Sequence, residues 1–236
     1  LLLQRTNRRH RNKIAALHHE NERKLFDAKI GFFTHITHEI RTPVTLILAP
    51  VEEIMRQKNI PEEIRDDLEV VKRNSERLLD LVNQILDFTK AEQEAFSSQN
   101  TWFDIDDLVE KTVQRFTPAA QQKGIQLSHD TPQPIRICTD REALTKVLSN
   151  LLTNAMKFTK DRILVSLTEN PEAHTVTISV EDNGTGIKPT EKEKIFNLFY
   201  QSANKPQLPN KGFGIGLAIV SLLVKRMMGK IEVESE

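Results

Sequence analysis

Along the first third of the chain, apolar side chains recur at alternating steps of three and four. Phe26, Ile30, Phe33, Ile40, Val44, Ile47, Val51 and Ile54 follow a heptad seam with Thr37 at its polar position, the spacing of an α-helix that buries one stripe. This predicts a long helix over residues 5–57, about 80 Å at 1.5 Å per residue. Past the Lys58-Asn59-Ile60-Pro61 turn, Ile64, Leu68, Val71, Leu78, Val82, Ile85 and Phe88 repeat the pattern, which predicts a second helix over 62–95. Two such helices make an antiparallel hairpin whose core is too narrow to stand alone. Pairing with a second copy into a four-helix bundle supplies the missing cover, so a homodimer is expected.

Beyond Ser97-Ser98-Gln99-Asn100 the period changes. Helical stretches at 105–123, 140–158, 190–199 and 214–228 alternate with strand-like runs at 101–103, 125–128, 135–137, 162–168, 175–181 and 230–234. Val176, Ile178 and Val180 alternate with Thr175, Thr177, Ser179 and Glu181, the mark of a half-buried strand. The expected fold class is therefore an α-helical hairpin plus a separate α+β sandwich, a mixed sheet covered by helices.

Composition adds two facts. The 236 residues include only 8 glycines, where average usage of about 7% would give roughly 17. Five of them cluster as Gly184 and Gly186, then Gly212, Gly214 and Gly216, so the chain needs close backbone approach at those two places. The single cysteine, Cys138, excludes an intramolecular disulfide framework and is expected in the core. With 33 basic against 33 acidic residues, the balance argues against a nucleic-acid partner, whose phosphates call for a basic surface. Residues 1–30 nevertheless hold Arg5, Arg8, Arg9, Arg11, Lys13, Arg23, Lys24 and Lys29 against Glu20, Glu22 and Asp27. That cluster directly follows Leu1-Leu2-Leu3. It is read either as a solvated helix face or as the cytoplasmic end of a membrane helix lying before Leu1.

The chemistry gathers in the second half. Extending the buried face of the 175–181 strand by two places puts Asp182 where an apolar residue should stand, just before Asn183-Gly184-Thr185-Gly186-Ile187. A carboxylate buried there calls for a hydrogen-bonding partner, and a ligand amine would serve. Gly212-Phe213-Gly214-Ile215-Gly216-Leu217 opens an apolar helix, so free N–H groups and the positive dipole end face an anion such as phosphate. Asn150, Asn154 and Lys157 fall at i, i+4 and i+7 on one helix face. Carboxamide oxygens suit Mg²⁺, and a lysine one turn on neutralises phosphate.

These segments resemble the boxes of sensor histidine kinases. Asn150-Leu-Leu-Thr-Asn154-Ala-Met-Lys157-Phe158-Thr159 is similar to the N-box, Asp182-Asn-Gly184-Thr-Gly186-Ile187 to the G1 box, Ile195-Phe196-Asn-Leu-Phe199-Tyr200-Gln201 to the F-box, and Gly212-Phe-Gly214-Ile-Gly216-Leu217-Ala218 to the G2 box. The resemblance implies the family's Bergerat ATP-binding fold, with ATP and Mg²⁺ as cofactors. It implies that Asp182 contacts the adenine amine and that Asn150 and Asn154 hold Mg²⁺. Lys157 and the Gly212, Gly214, Gly216 and Leu217 backbone would hold phosphates, and Gly184, Gly186, Ile187, Phe199 and Tyr200 would complete the pocket. Ser202 to Lys211 looks like the family's ATP lid, with Lys205 or Lys211 within reach of phosphate. Two departures stand out. Phe213 replaces a common Ser or Thr, and one C-terminal strand precedes Glu236 where the family usually adds another.

In the hairpin, Phe33-Thr-His35-Ile-Thr-His38-Glu39-Ile-Arg41-Thr42-Pro43 resembles the H-box of the same kinases. An imidazole on a rigid helix is a nucleophile toward phosphorus. The resemblance assigns phospho-acceptance to His38 rather than His35, makes Glu39 the neighbouring base, and matches Thr42 to the position that orients water in regulator dephosphorylation. Pro43 is expected to bend the helix just past His38. The implied organisation is a membrane-proximal signalling coiled coil (1–30), a dimerisation and histidine phosphotransfer domain (31–97) and a catalytic ATP-binding domain (101–236). The implied partners are a second copy and a response-regulator receiver, separate or fused after residue 236. The implied location is the cytoplasmic side of the plasma membrane. A gyrase-like or chaperone-like ATPase usually has Glu at the position of Asn150 and lacks an H-box, and a silent helical scaffold has no use for intact Asn150, Asn154 and Asp182.

Overall fold

The computed structural model describes residues 31–57, 60–93, 99–131, 134–202 and 212–235. The 5–30 part of the first expected helix, with Leu1 to Leu3 and the basic cluster, lies outside the described residues. So do Lys58 and Asn59 of the turn, residues 94–95 of the second helix, and Lys205 and Lys211. The chain divides into two compact units with the boundary between Gln93 and Glu94.

The first unit is a helical hairpin of α1 (residues 31–55) and α2 (Glu62–Gln93). Arg41 Nη2 donates to Asn83 Oδ1 at 2.8 Å, Lys72 pairs with Glu52 at 3.5 Å, and Arg65 Nη2 reaches the Gln57 carbonyl at 3.5 Å. The steady exchange of high for low numbers is that of an antiparallel pair. Thr37, Val44 and Val51 of α1 and Ser75, Val82 and Thr89 of α2 are buried, each set at heptad spacing.

The seam read from sequence is only partly this one. Ile47, Ile54, Ile64, Val71 and Leu78 are between 39% and 50% exposed, whereas Leu48, Met55 and Leu79, each one position on, are half-buried. An apolar arc wide enough for two neighbours marks the sum of two seams, and one hairpin can fill only one of them.

The second unit runs β1 (Asn100–Asp104), α3 (Ile105–Gln122), β2 (Gln126–Asp130), β3 (Arg136–Asp140), α4 (Arg141–Phe158), β4 (Arg162–Asn170), β5 (Thr175–Asp182) and α5 (Gly216–Arg226). β1 and β3 form an antiparallel pair. A three-stranded mixed sheet has the order β2-β4-β5, β4 parallel to β2 and antiparallel to β5. In β4, Ile163, Val165 and Leu167 are buried and alternate with outward residues, facing the half-buried Val176, Ile178 and Val180 of β5. α3 and α4 cover this sheet through Leu108, Val109, Val113, Leu144, Leu148 and Leu152. The mixed, helix-covered sheet matches the expected class.

Three expectations are corrected. Residues 190–199 form two 3-10 turns, Pro189–Glu191 and Lys194–Phe196, because a polar run beginning at a proline offers no apolar stripe long enough for a helix to bury. Residues 230–234 form no strand. Ile231 and Val233 are half-buried while Glu232 and Glu234 are exposed, so the alternation read from sequence is present without a backbone ladder. Cys138 is exposed, opposite the exposed Trp102 in the β1–β3 register. Its neighbours Ile137 and Thr139 take the inward face of the strand instead.

Candidate functional site

The platform of the site is α4. Asp140 caps its start, Oδ1 accepting from the Ala143 amide at 2.9 Å, and Ala143, Leu144, Val147, Leu148, Leu152, Ala155 and Met156 bury one side. That fixes Asn150, Asn154 and Lys157, all half-buried, along the remaining face. Asn150 Nδ2 donates to the Lys146 carbonyl at 2.9 Å. The amide's hydrogen-rich end is thereby tied to the helix, which leaves Oδ1, the atom that suits a hard cation, facing Gly216.

The second glycine loop lies on this platform. A β-carbon placed on Gly216 would stand 2.9 Å from Asn150 Oδ1, and one on Gly212 would stand 2.9 Å from Lys157 Nζ. Gly214 has φ +74°, and a β-carbon there would come within 2.5 Å of the Tyr200 carbonyl. Only glycine meets both demands. Ile215, fully buried, precedes α5 and gives its first amides no side-chain cap, so those amides are open to an anion. Leu217 is half-buried beside them.

The first glycine loop meets the C-terminal end of α4, one residue past Lys157. A β-carbon on Gly184 would overlap the carbonyl oxygen of Phe158, the last residue of that helix, and would stand 2.6 Å from Asp182 Oδ1. Gly186 has φ +69°, and the amide of Ile187 donates to Ser235 Oγ at 2.8 Å. Asp182 corrects the sequence reading. It is exposed, with Oδ1 accepting from the Gly184 amide at 2.9 Å. The strand's alternation holds only as far as its own packed face, and at the strand end the carboxylate looks outward, where a ligand amine can reach it.

The second glycine loop is held by the 195–201 segment. Phe199, 57% exposed, sits at φ +64° with its amide on the Gly214 carbonyl at 2.9 Å, and Gln201 Nε2 donates to the Gly212 carbonyl at 2.8 Å. Glu191 accepts from the Tyr200 phenol and the Ser202 hydroxyl, both at 3.1 Å. Desolvation, then the hydrogen bond to Glu191 and its negative charge, pushes the Tyr200 phenol above its ordinary pKa. Sequence reasoning missed Glu191, Gln201, Asn183 and the ion pair in which Arg226 Nη2 donates to Asp140 Oδ2 at 2.7 Å. For Asp140 a signal was present, since an Asp directly before an apolar-periodic run marks a helix cap.

In the hairpin, His35, His38, Glu39 and Thr42 are all exposed on α1. Exposure does not choose between the two histidines. Helix α1 continues through Pro43, although proline leaves the Glu39 carbonyl without its usual donor. Nearby, the Thr42 and Thr45 hydroxyls donate back to the His38 and Arg41 carbonyls at 3.1 and 2.9 Å. Among the described residues there is no group of three or more His, Cys, Asp or Glu that could hold a metal, and no helix long and apolar enough to cross a membrane. The donors that would suit a hard cation are the asparagine oxygens of α4.

This arrangement defines a class: a phospho-acceptor hairpin followed by a nucleotide-binding α+β domain. Residues 28–94 match the family described as "His Kinase A (phospho-acceptor) domain", and residues 139–236 match "Histidine kinase-, DNA gyrase B-, and HSP90-like ATPase". The chain is 36% identical over 217 residues to "Sensor histidine kinase TmoS" of Ectopseudomonas mendocina, covering 91% of this chain and 22% of that protein. It is 30% identical over 205 residues to "Sensor histidine kinase YcbM" of Bacillus subtilis (strain 168), covering 86% and 66%. The crystal structure of full-length ShkA in complex with AMPPNP matches with a TM-score of 0.66 at 29% identity, over 83% of this chain and 41% of that one. The chain belongs to the sensor histidine kinases of two-component systems. It spans about a fifth to two thirds of the length of these two relatives.

Proposed function

We propose that this chain is an ATP-dependent protein-histidine kinase that phosphorylates His38 and passes the phosphoryl group to an aspartate of a response-regulator receiver. The observation that carries the reading is the seating of Gly212 and Gly216 against Lys157 and Asn150 while Gly184, which holds Asp182, packs on Phe158 at the C-terminal end of the same helix. The C-terminal half of one helix thus brings together both glycine loops and Asp182. Asp182 binds the adenine amine, and Gly184, Gly186, Ile187, Phe199 and Tyr200 wall the base. Lys157, the Gly212, Gly214 and Gly216 backbone, Leu217 and the uncapped start of α5 hold the phosphates.

Asn150 and Asn154 hold Mg²⁺, which when bound neutralises charge on the phosphates. A His38 ring nitrogen attacks the γ-phosphorus, the bond to the β-phosphate oxygen breaks, and ADP leaves with that electron pair. Glu39 takes or shares the proton on the other ring nitrogen, so the phosphorylated ring carries less positive charge. Thr42, one turn on, is the residue for orienting water in a phosphatase reaction on the regulator.

A second copy completes the hairpin. The exposed stripe of Ile47, Ile54, Ile64, Val71 and Leu78 is what a four-helix homodimer would cover. In this reading the activity lies on the cytoplasmic side of a membrane receptor, where ATP is held.

The test is incubation with γ-labelled ATP and Mg²⁺. Acid-labile, alkali-stable label is expected, lost in His38→Gln and kept in His35→Gln; label that survives without His38 refutes the assignment. Asp182→Asn is expected to weaken ATP binding strongly.

A further inference from the structure

Two of the first four residues after Asp182 are glycines, so this loop has little conformational restraint of its own. Its fixed point is the side chain of Asn183. Oδ1 accepts from the amides of Asp161 and Arg162 at 3.2 and 3.1 Å, and Nδ2 donates to Asp161 Oδ1 at 2.6 Å. The Asn183 amide donates to the Arg162 carbonyl at 3.3 Å. Thr159 Oγ1 lies 2.9 Å from Asn183 Oδ1 and 2.8 Å from the Arg162 carbonyl, its one proton shared between the two acceptors. One carboxamide therefore satisfies both the donors and the acceptor presented by the turn between α4 and β4.

The side-chain type matters. An aspartate would keep the acceptor but lose the donor, and would set a second negative charge against Asp161. A glutamine is one methylene too long for the same fork. With the clamp closed, the main chain of Gly184 runs against the Phe158 carbonyl and Asp182 is fixed relative to α4.

We propose that Asn183 is a positioning residue for base selection: by gripping the 159–162 turn it sets the Asp182 carboxylate where it tells an exocyclic amine from a carbonyl. The inference rests on the reading of Asp182 as the adenine contact. A merely structural role for Asn183 would weaken all nucleotides alike, whereas a positioning role changes the ratio between them.

The experiment measures binding of ATP and of inosine triphosphate, which carries a carbonyl in place of the amine, to the whole chain by calorimetry. The parent is expected to prefer ATP, and Asp182→Asn to erase that preference. Asn183→Asp is expected to lower the ATP-to-inosine preference about tenfold. Combining Asn183→Asp with Asp161→Asn returns the amide to the opposite side of the same hydrogen bond and is expected to restore the preference. If Asn183→Asp does not fold, Asn183→Ser, which keeps a small acceptor, is expected to show the same loss of ratio.

A ratio unchanged in the Asn183 variants, or not restored by the exchange, overturns the proposal. If Asp182→Asn itself leaves the ratio intact, the adenine reading falls, and the proposal falls with it. Loss in Asp182→Asn without loss in Asn183→Asp removes only the proposal.

Discussion

Arg226 and Asp140 form a buried pair at the end of α5 remote from the glycine loop. Their side chains are 4% and 10% exposed, with Arg226 Nη2 2.7 Å from Asp140 Oδ2, while Asp140 Oδ1 caps α4. From Gly216 beside Asn150 to Arg226 beside Asp140, α5 returns along α4 over ten residues of each helix. Locking the far end therefore sets where the glycine loop begins. Arg226→Met keeps most of the side-chain volume but leaves Asp140 buried with one hydrogen bond. Removing one partner of a buried pair costs about 3–5 kcal/mol. At a urea dependence of roughly 2 kcal/mol per molar, the midpoint drops by about 1.5–2.5 M. The probe is built in, because Trp102 is the only tryptophan and belongs to β1 of the same unit. Combining Arg226→Met with Asp140→Asn removes both charges while asparagine still caps α4, and is expected to recover to within about 1 kcal/mol of the parent. A midpoint shift below about 0.3 M for the single variant, or a double variant no better than the single, would refute the reasoning.

Gly216→Ala sets a β-carbon 2.9 Å from Asn150 Oδ1. Alanine in a helix adds up to about 1 kcal/mol of stability, so unfolding should be unchanged or later while the KM for Mg·ATP rises about tenfold; equal affinity would show that Asn150 does not work from this position. Tyr200 is the only tyrosine, and its phenolate absorbance should titrate above the ordinary value of about 10, moving down in Glu191→Gln. With the folded pKa raised, the stability linked to this proton is fully present below the unfolded pKa and is lost as pH rises through the folded one; a midpoint at or below about 10 contradicts the burial and the Glu191 bond. Leu78→Lys puts a charge on the uncovered heptad stripe and should halve the sedimenting mass, and a mass that stays dimeric assigns that stripe to something other than a second copy.

The elements legible in the sequence were those whose signal is local. The period of α4 placed Asn150, Asn154 and Lys157 on one face, and the clean alternation of β5 gave that strand to within a residue. What failed was non-local. Two apolar seams on each hairpin helix project onto one heptad pattern, so Ile47 and Leu48 could not be told apart by spacing. Asp182 looked buried because alternation was carried past the point where β5 packs. Asn183 drew no notice because its hydrogen-bond partners lie 21–24 residues away. The contact of Gly216 with Asn150 spans two motifs that composition shows only as separate clusters. Ile231 and Val233 alternate as a strand should, yet a strand is defined by a neighbour that no single segment encodes.

The uncovered stripe on the hairpin has a thermodynamic corollary. Its sealed positions are small, Thr37, Val44, Ser75, Val82 and Thr89, so much of the apolar area available to these helices lies on the face left open. For a chain that gains this burial only by pairing, folding and association are one equilibrium, and its stability carries a concentration term. Each tenfold dilution then takes about 1.4 kcal/mol from the folded pair. Where a second copy supplies the cover, the abundance of the protein in the cell becomes a determinant of whether the helix bearing His38 is formed at all.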